Sequence, residues 1–207
     1  MLAGNWNVLV AEEEDGLVVI ECPQSGRYSV KVLDFLRQRF PEVKVKALVS
    51  TTDSIWHYAG LRTYIARGIP TYALDLNVPL LQTFLAAPHS LAPDEYAWAK
   101  RSPDLHAVAD RTVIGKGASR MELYPIRRES DERMMMVYFA EQRLLYGSSN
   151  DVFNSVKGGK AGTFNLSEVV SAARARHLAV TTYAGIHTAA TPWEDVVNIA
   201  LASPALH

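Results

Sequence analysis

The fold is decided by residues Val49 to Leu61, which read V-S-T-T-D-S-I-W-H-Y-A-G-L. Just before this stretch, apolar residues recur at alternate positions over 43–49, a pattern that predicts a strand with at least one buried face. Polar residues then run from Ser50 to Ser54, and a short helix over 59–67 is predicted to end at Gly68. The polar run therefore lies where a strand ends, and open sheets covered by helices usually place ligands and catalytic groups there.

This polar run resembles the first metal-binding motif of the metallo-β-lactamase superfamily, T-H-x-H-x-D-H-x-G-G, which also follows a strand. Thr51 matches the leading threonine, His57 the last histidine and Gly60 the second glycine. The other ligand positions of the motif hold Thr52, Ser54 and Trp56. Zinc prefers imidazole, thiolate and carboxylate ligands, whereas a neutral hydroxyl is a poor ligand and an indole N–H cannot coordinate. His57 is therefore the one ligand of this motif expected to remain.

The segment upstream of the motif follows the element order of the same superfamily. Trp6 to Ala11 and Leu17 to Glu21 predict a hairpin around an Asp-Gly turn. Glu21 occupies the position of the superfamily's usual aspartate, which implies that it fixes neighbouring loops by hydrogen bonds. A helix capped by Ser29 and running to Phe40 is predicted next, with apolar residues along one side.

The segment downstream resembles the later metal motifs. A second hairpin is predicted over 134–139 and 143–146, and Ser148 follows it in the place of the metal-bridging aspartate. The glycine-histidine motif that normally precedes this hairpin would fall within 129–132, which contain no histidine. A slipped alignment would bring Asp151 toward the metal position, but the loop would then have to fold back by up to about 10 Å of extended chain.

His187 resembles the last metal ligand of the superfamily. A strand over 178–182 is predicted to lead through a glycine turn to this histidine, with one residue inserted relative to the motif. The resemblance implies that His57 and His187 are the residual ligand positions, both at the second metal site. Two imidazoles without a carboxylate or thiolate make a weak zinc site, because a catalytic zinc uses about three protein ligands and water. No metal or other cofactor is therefore expected.

The likeness extends from Trp6 to Leu201 and implies an α/β fold, a four-layer αββα sandwich of metallo-β-lactamase type, in a single domain over 1–207. The 207 residues, 48% of them hydrophobic and 21% charged, suffice to bury a full core. The predicted elements between these motifs are a strand over 69–73, a helix over 78–85 capped by Asn77, and an irregular or partly helical insertion over 87–110 that is a candidate lid or partner surface. A helix capped by Asn165 or Ser167 and running to His177, and a closing helix started by a capping box at Thr191, complete the predicted elements.

The charge, the cysteine content and the apolar runs of the sequence limit which kinds of partner and which cellular location are expected. A net charge of −1 and a pI near 6.6 provide no field for nucleic acid or an anionic membrane, so neither is expected as a partner. The single cysteine, Cys22, excludes an internal disulfide. No apolar run approaches the ~20 residues of a membrane helix, and the N-terminus lacks a targeting pattern, so a soluble, cytoplasmic protein is expected. A longer native chain, and export directed by a segment upstream of Met1, stay open.

Two classes of function fit these residues. In the first, the chain is a non-catalytic binding or scaffold domain for a small molecule or a protein partner, and the Trp56 ring fills the volume that metal and water would occupy. The residues expected to line its pocket are Glu21, Thr52, Ser54, Trp56, Ser148 and His187. In the second, the chain is a hydrolase of an ester, amide or thioester whose single zinc is held by His57 and His187. Its third ligand would be Asp53 or Asp151, and zinc-bound water would reach a pKa of about 7.

His57 and Asp53 are the candidate catalytic residues. Each also fits a structural role, His57 as a hydrogen-bonding side chain and Asp53 as a loop carboxylate that accepts from backbone N–H groups. A third class, a serine hydrolase without metal, would pair Ser54 or Ser148 with a histidine. The chain lacks the G-x-S-x-G elbow of such enzymes, so this class has the least support.

Overall fold

The computed structural model describes residues 6–150, 152–154, 160–162 and 164–202. By its internal contacts the chain divides into two compact units. The N-terminal unit is Val8–Ala109, and the C-terminal unit is Asp110 onward together with the residues up to Asn7. The single domain predicted over 1–207 stays a prediction.

The N-terminal unit is built on a five-stranded sheet with the order β1-β2-β3-β4-β5. Its strands are β1 (Leu9–Glu13), β2 (Gly16–Ile20), β3 (Val45–Ser50), β4 (Thr71–Leu74) and β5 (Leu105–Val108). β1 and β2 form the predicted antiparallel hairpin, and the other neighbouring strands are parallel. All of β2 and the end of β3 are buried, as expected for parallel strands covered on both faces.

The first helix of this unit begins earlier than predicted. The helices are α1 (Gly26–Arg39), α2 (Ile55–Tyr58), α3 (Leu61–Ala66), α4 (Val78–Ala86) and α5 (Glu95–Ala99). Ser25 caps α1, because its backbone is extended and its Oγ accepts a hydrogen bond from the Tyr28 N–H at 3.2 Å. The predicted cap at Ser29 is wrong, since that residue lies within the helix with 1% of its surface exposed.

Two short helices replace the one predicted over 59–67. The first already begins at Ile55, and the chain passes to the second at Gly60, where an added Cβ would lie 2.0 Å from the Ser29 Oγ. Only glycine allows this close approach. The predicted stop at Gly68 is confirmed by its φ of +73°.

Two more predictions are corrected in the N-terminal unit. α4 begins at Val78 as predicted, but the Asn77 side chain does not cap it, because a 3-10 turn over Asp75–Asn77 leads directly into the helix. The insertion over 87–110, predicted as irregular or partly helical, contains the helix α5 and also a strand, β5, that was not predicted. β5 pairs with β4 at the edge of the sheet, and its partly exposed side chains give only a weak strand pattern.

The C-terminal unit contains a six-stranded sheet with the order β13-β12-β9-β8-β7-β6 and a separate two-stranded sheet. The strands of the larger sheet are β6 (Thr112–Ile114), β7 (Met121–Pro125), β8 (Met135–Phe139), β9 (Leu144–Tyr146), β12 (Thr182–Ala184) and β13 (Thr191–Pro192). The smaller sheet pairs β10 (Val152–Asn154) with β11 (Lys160–Gly162). β8 and β9 form the predicted second hairpin, and the helices are α6 (Phe164–Ala175) and α7 (Trp193–Ala202).

Three predicted boundaries in the C-terminal unit are wrong. The strand predicted over 178–182 begins only at Thr182. The apolar side chains of Leu178 and Val180 pack in the core, but these residues are not part of the strand. The helix predicted to reach His177 ends before that residue, which has a φ of +53°. Thr191 belongs to β13, and its hydroxyl donates to the Ala189 carbonyl at 2.8 Å instead of capping α7.

Each unit has an apolar core of its own. The N-terminal core joins the sheet to α1 and α3, and its buried residues include Leu17, Val19, Leu48, Val32, Leu36 and Tyr64. The C-terminal core joins the sheet to α6 and α7, and its buried residues include Met136, Tyr138, Leu145, Leu166, Val169 and Val196. No helix within the described ranges has the length and apolar character needed to cross a bilayer.

Candidate functional site

Glu21 and Thr51 meet at the carboxyl ends of neighbouring parallel strands. Glu21 follows β2, Thr51 follows β3, and the Glu21 N–H donates to the Val49 carbonyl at 2.9 Å. The Thr51 hydroxyl donates to the Glu21 carboxyl group, and both residues are fully buried. Burial raises the pKa of Glu21 to about 8, only partly offset by the hydrogen bonds to Thr51. Glu21 is therefore mainly protonated at neutral pH in the folded chain.

The residues after Thr51 form a local turn that leads into α2. Thr52 is buried, and its hydroxyl oxygen accepts a hydrogen bond from the Ser54 N–H at 3.2 Å. Asp53 and Ser54 are half-buried. The oxygen at the first of the substituted ligand positions is thus engaged by the backbone of the motif itself, as in other turns closed by a threonine side chain.

His57 lies in α2 and helps to join this helix to the end of β2. Its carbonyl accepts from the Cys22 N–H at 3.2 Å, and the Trp56 carbonyl accepts from the Gln24 N–H at 2.8 Å. The His57 residue is 4% exposed, whereas Trp56 is 65% exposed. The Trp56 side chain is therefore largely exposed, and the role predicted for its ring stays a prediction. Backbone hydrogen bonds, rather than a packed indole, fix this part of the motif.

Ser148 and His187 lie in the C-terminal unit. Ser148 is buried with a φ of +57°, and its carbonyl accepts from the Ile186 N–H at 2.9 Å. His187 is half-buried, and its ring meets the Trp6 ring edge-on with 4.4 Å between the centroids. The Asn7 amide donates at 3.1 and 3.3 Å to two carbonyls of the turn that carries His187. The turn is therefore held by residues from both ends of the chain.

A buried carboxylate pair in the C-terminal unit was not found from the sequence. Glu168 accepts hydrogen bonds from the Ser130 hydroxyl at 2.7 Å and from the Asp131 N–H at 3.0 Å. Asp131 is fully buried and accepts from the Asn165 amide at 2.9 Å. Burial, and then the nearby charge of Glu168, raise the pKa of Asp131 to about 7. The pair joins the loop before β8 to the start of α6. These two segments lie far apart along the chain, so residue spacing in the sequence does not predict that they meet.

The structure resembles solved metallo-β-lactamases. It matches a metallo-β-lactamase from Pontibacter korlensis with a TM-score of 0.70 at 14% identity, over 95% of this chain and 86% of that one. It matches one from Hirschia baltica with a TM-score of 0.67 at 15% identity, over 95% and 84% of the two chains. For the DIM-1 metallo-β-lactamase the TM-score is 0.67 at 14% identity, over 96% and 88%. No family model and no curated protein matches the sequence.

The chain therefore has the metallo-β-lactamase fold, a mixed α/β sandwich with two main sheets. This confirms the fold that the order of the sequence motifs predicts. At 14–16% identity the likeness shows the fold alone. The activity and the state of the metal site have to be argued from the residues of this chain.

Thr52, Ser54 and Trp56, at three of the motif's ligand positions, carry hydroxyls and an indole, which are poor zinc ligands. Within either unit, no group of three or more His, Cys, Asp or Glu side chains suited to a metal occurs among the residues that the structure describes. The N-terminal unit brings together Glu21, Thr52, Asp53, Ser54, Trp56 and His57, and the C-terminal unit holds Ser148 and His187. Asp151, the alternative third ligand, lies outside the described residues. The pocket-lining and catalytic roles of these residues stay predictions.

Proposed function

We propose that this chain is a non-catalytic binding or scaffold protein built on the metallo-β-lactamase fold. The observation that carries the proposal is the hydrogen bonding of the motif segment. Thr51 bonds to Glu21, and the Thr52 oxygen accepts from the Ser54 N–H. The carbonyls of α2 bond to the segment after β2. The segment is thus ordered by bonds within the chain, and a metal is not needed to hold it.

The electrostatics of the same segment support the proposal. A cluster of carboxylates and imidazoles in a shared cleft repels itself unless a cation neutralises it. Here the substituted ligand positions carry hydroxyls and an indole, which are neutral. Glu21, the buried acid beside them, is neutral for most of the time near pH 7 because of its raised pKa. The substituted positions and Glu21 therefore contribute little charge that a cation would have to neutralise.

Metal analysis of freshly purified protein tests the proposal. We expect well under one equivalent of zinc, manganese or iron by mass spectrometry, and no change in Tm when zinc is added, because bound metal would stabilise the folded state by mass action. The His57→Ala variant should behave like the parent in both measurements. The His106→Ala variant is the control, since His106 is an exposed residue far along the chain from the motif.

The opposite result defines the competing function. About one equivalent of metal, lost in the His57→Ala variant and kept in the His106→Ala variant, would overturn the proposal. It would favour a hydrolase that uses His57, His187 and a third ligand.

A further inference from the structure

Two arginines bind one glutamate near the edge of the C-terminal sheet, and a third lies over the ring of a neighbouring tyrosine. The Arg111 guanidinium bonds to both carboxylate oxygens of Glu122, at 3.1 and 2.9 Å. Arg120 reaches the same carboxylate at 3.2 Å. Arg111 also donates to the Tyr124 hydroxyl at 3.2 Å, and that hydroxyl donates to Glu122. The Arg176 guanidinium carbon lies 5.2 Å from the centre of the Tyr124 ring. These five residues are the arginine cluster.

The arginine cluster has more positive charge than its own acid can neutralise. The Arg111 hydrogen bonds are the main cause that lowers the pKa of Glu122, so this carboxylate is ionised and offsets one guanidinium of the three. Each guanidinium has five N–H donors, and Arg120 uses one of them in its hydrogen bond to Glu122. Half of the Arg111 side chain and 45% of the Arg120 side chain are exposed to solvent. A net positive surface with spare donors therefore faces the solvent.

The position of the cluster favours an extended partner. Arg111 directly precedes β6, and in the described chain β6 pairs with β7 alone, so its other side is an open sheet edge. Val113, at the centre of β6 and opposite Glu122 in the register, is 42% exposed. An open edge accepts an added strand through its backbone groups, and the side chains of the added strand then decide specificity. On one face of such a strand, alternate side chains recur every ~6.6 Å, in reach of successive guanidiniums.

We propose that the arginine cluster binds an acidic, extended peptide segment of a partner protein that lies along β6. The carboxylates of the peptide would pair with the remaining N–H donors of Arg120 and of Arg176, which also donates to the Pro125 carbonyl at 2.8 Å, and the planar guanidinium fork is well suited to such pairs. A peptide fits better than a polynucleotide, because the chain as a whole carries a net charge of −1 and gives no long-range field for a polyanion. This inference does not depend on whether the chain binds metal.

Fluorescence anisotropy with a synthetic probe tests the proposal on the full chain. The probe is a fluorescein-labelled peptide of alternating glutamate and threonine, about ten residues long. We expect saturable binding that weakens as salt is added, and a roughly tenfold or greater loss of affinity in the double variant Arg120→Gln, Arg176→Gln. The control is Arg37→Gln, which removes a more exposed arginine from the pair with Asp34 in α1. Its affinity should match that of the parent.

Further measurements separate the peptide from other anions and guard against misfolding. A peptide of the same composition with its glutamates in one block, and a single-stranded oligonucleotide of similar charge, should both bind more weakly than the alternating peptide. Equal binding of either one, or unchanged affinity in the double variant, would overturn the proposal. If the double variant does not fold, Arg120→Gln alone decides, because that side chain is largely exposed. The single variant should then lose at least about threefold in affinity.

Discussion

A buried acid with a raised pKa makes the stability of this chain depend on pH. The Glu21 pKa rises from 4.5 to about 8 on folding, so the folded chain holds a proton that the unfolded chain releases. The stabilisation is complete below pH 4.5 and is lost as the pH rises to about 8. Asp131 acts in the same direction, since its pKa rises from 3.8 to about 7.

The Glu21→Gln variant isolates the contribution of this residue. Glutamine has nearly the same shape and carries no proton to lose, so the variant should lack the part of the pH dependence that lies between pH 4.5 and 8. We expect the free energy of unfolding of the parent to fall, relative to the variant, on the order of 1 kcal/mol per pH unit in this range. Urea unfolding from pH 5 to 9 measures it, with the exposed Glu12→Gln as control. Parallel curves for Glu21→Gln and the parent would contradict the assignment.

Gly60 is a second position where one residue decides the local structure. An alanine Cβ there would lie 2.0 Å from the Ser29 Oγ and 2.9 Å from the Cys22 carbonyl oxygen. We expect Gly60→Ala to lower the free energy of unfolding by about 3 kcal/mol, since α1 must move away from α2 and α3. In the Ser29→Ala background the cost should shrink, because the nearest clash is gone, although the backbone contact remains. Chemical unfolding of the four proteins in this cycle checks it, and strict additivity would count against the clash.

At the scale of elements, one arginine fixes the segment that follows α4. Arg62 is buried in α3, binds Asp94 with two hydrogen bonds, and donates to the Leu85 carbonyl at 2.9 Å. Its guanidinium carbon also lies 4.9 Å from the centre of the Tyr96 ring. The insertion is therefore anchored at its middle. Sequence patterns missed this because Arg62 reads as one more surface charge on a short helix.

Replacing this anchor should loosen the insertion. We expect Arg62→Met to cost about 2 kcal/mol of unfolding free energy, because the half-buried Asp94 and the carbonyls at the end of α4 lose their donor. Hydrogen exchange over 88–100 should rise. Arg67→Met is the matched control, since Arg67 pairs with Glu95 on the partly exposed surface and should cost less than about 1 kcal/mol. Equal costs for the two variants would refute the anchoring role.

The elements that could be predicted are those with strong periodicity or an unambiguous turn. The hairpin of β1 and β2 was predicted because apolar strands flank an Asp-Gly turn, and the hairpin of β8 and β9 because the resemblance to the superfamily places one there. β5 and the start of α1 were missed or misplaced, since a half-exposed edge strand and a polar first helical turn have little apolar pattern. The resemblance implied that Glu21 hydrogen-bonds a neighbouring loop, and the structure shows such a bond to Thr51, whereas the pair of Asp131 and Glu168 depends on tertiary contact alone.

At the scale of the whole molecule, both apolar cores are formed without the residues at the motif's ligand positions. Each unit closes over its own apolar core, and neither core includes a residue of the substituted ligand positions. The fold shared with proteins of 14–16% identity is thus specified by the order of strands and helices and by their burial. For this reason the sequence predicts the fold well and the chemistry poorly. The ligand positions are free to change without cost to either core.

Cys22 is a built-in chemical probe of local opening in the motif segment. It is the single thiol of the chain, it is 1% exposed, and its backbone joins the end of β2 to α2. Burial raises the pKa of this thiol, so an alkylating reagent can modify it only when the motif segment opens. The rate of alkylation in native buffer therefore reports how often this segment opens, and no engineered label is needed.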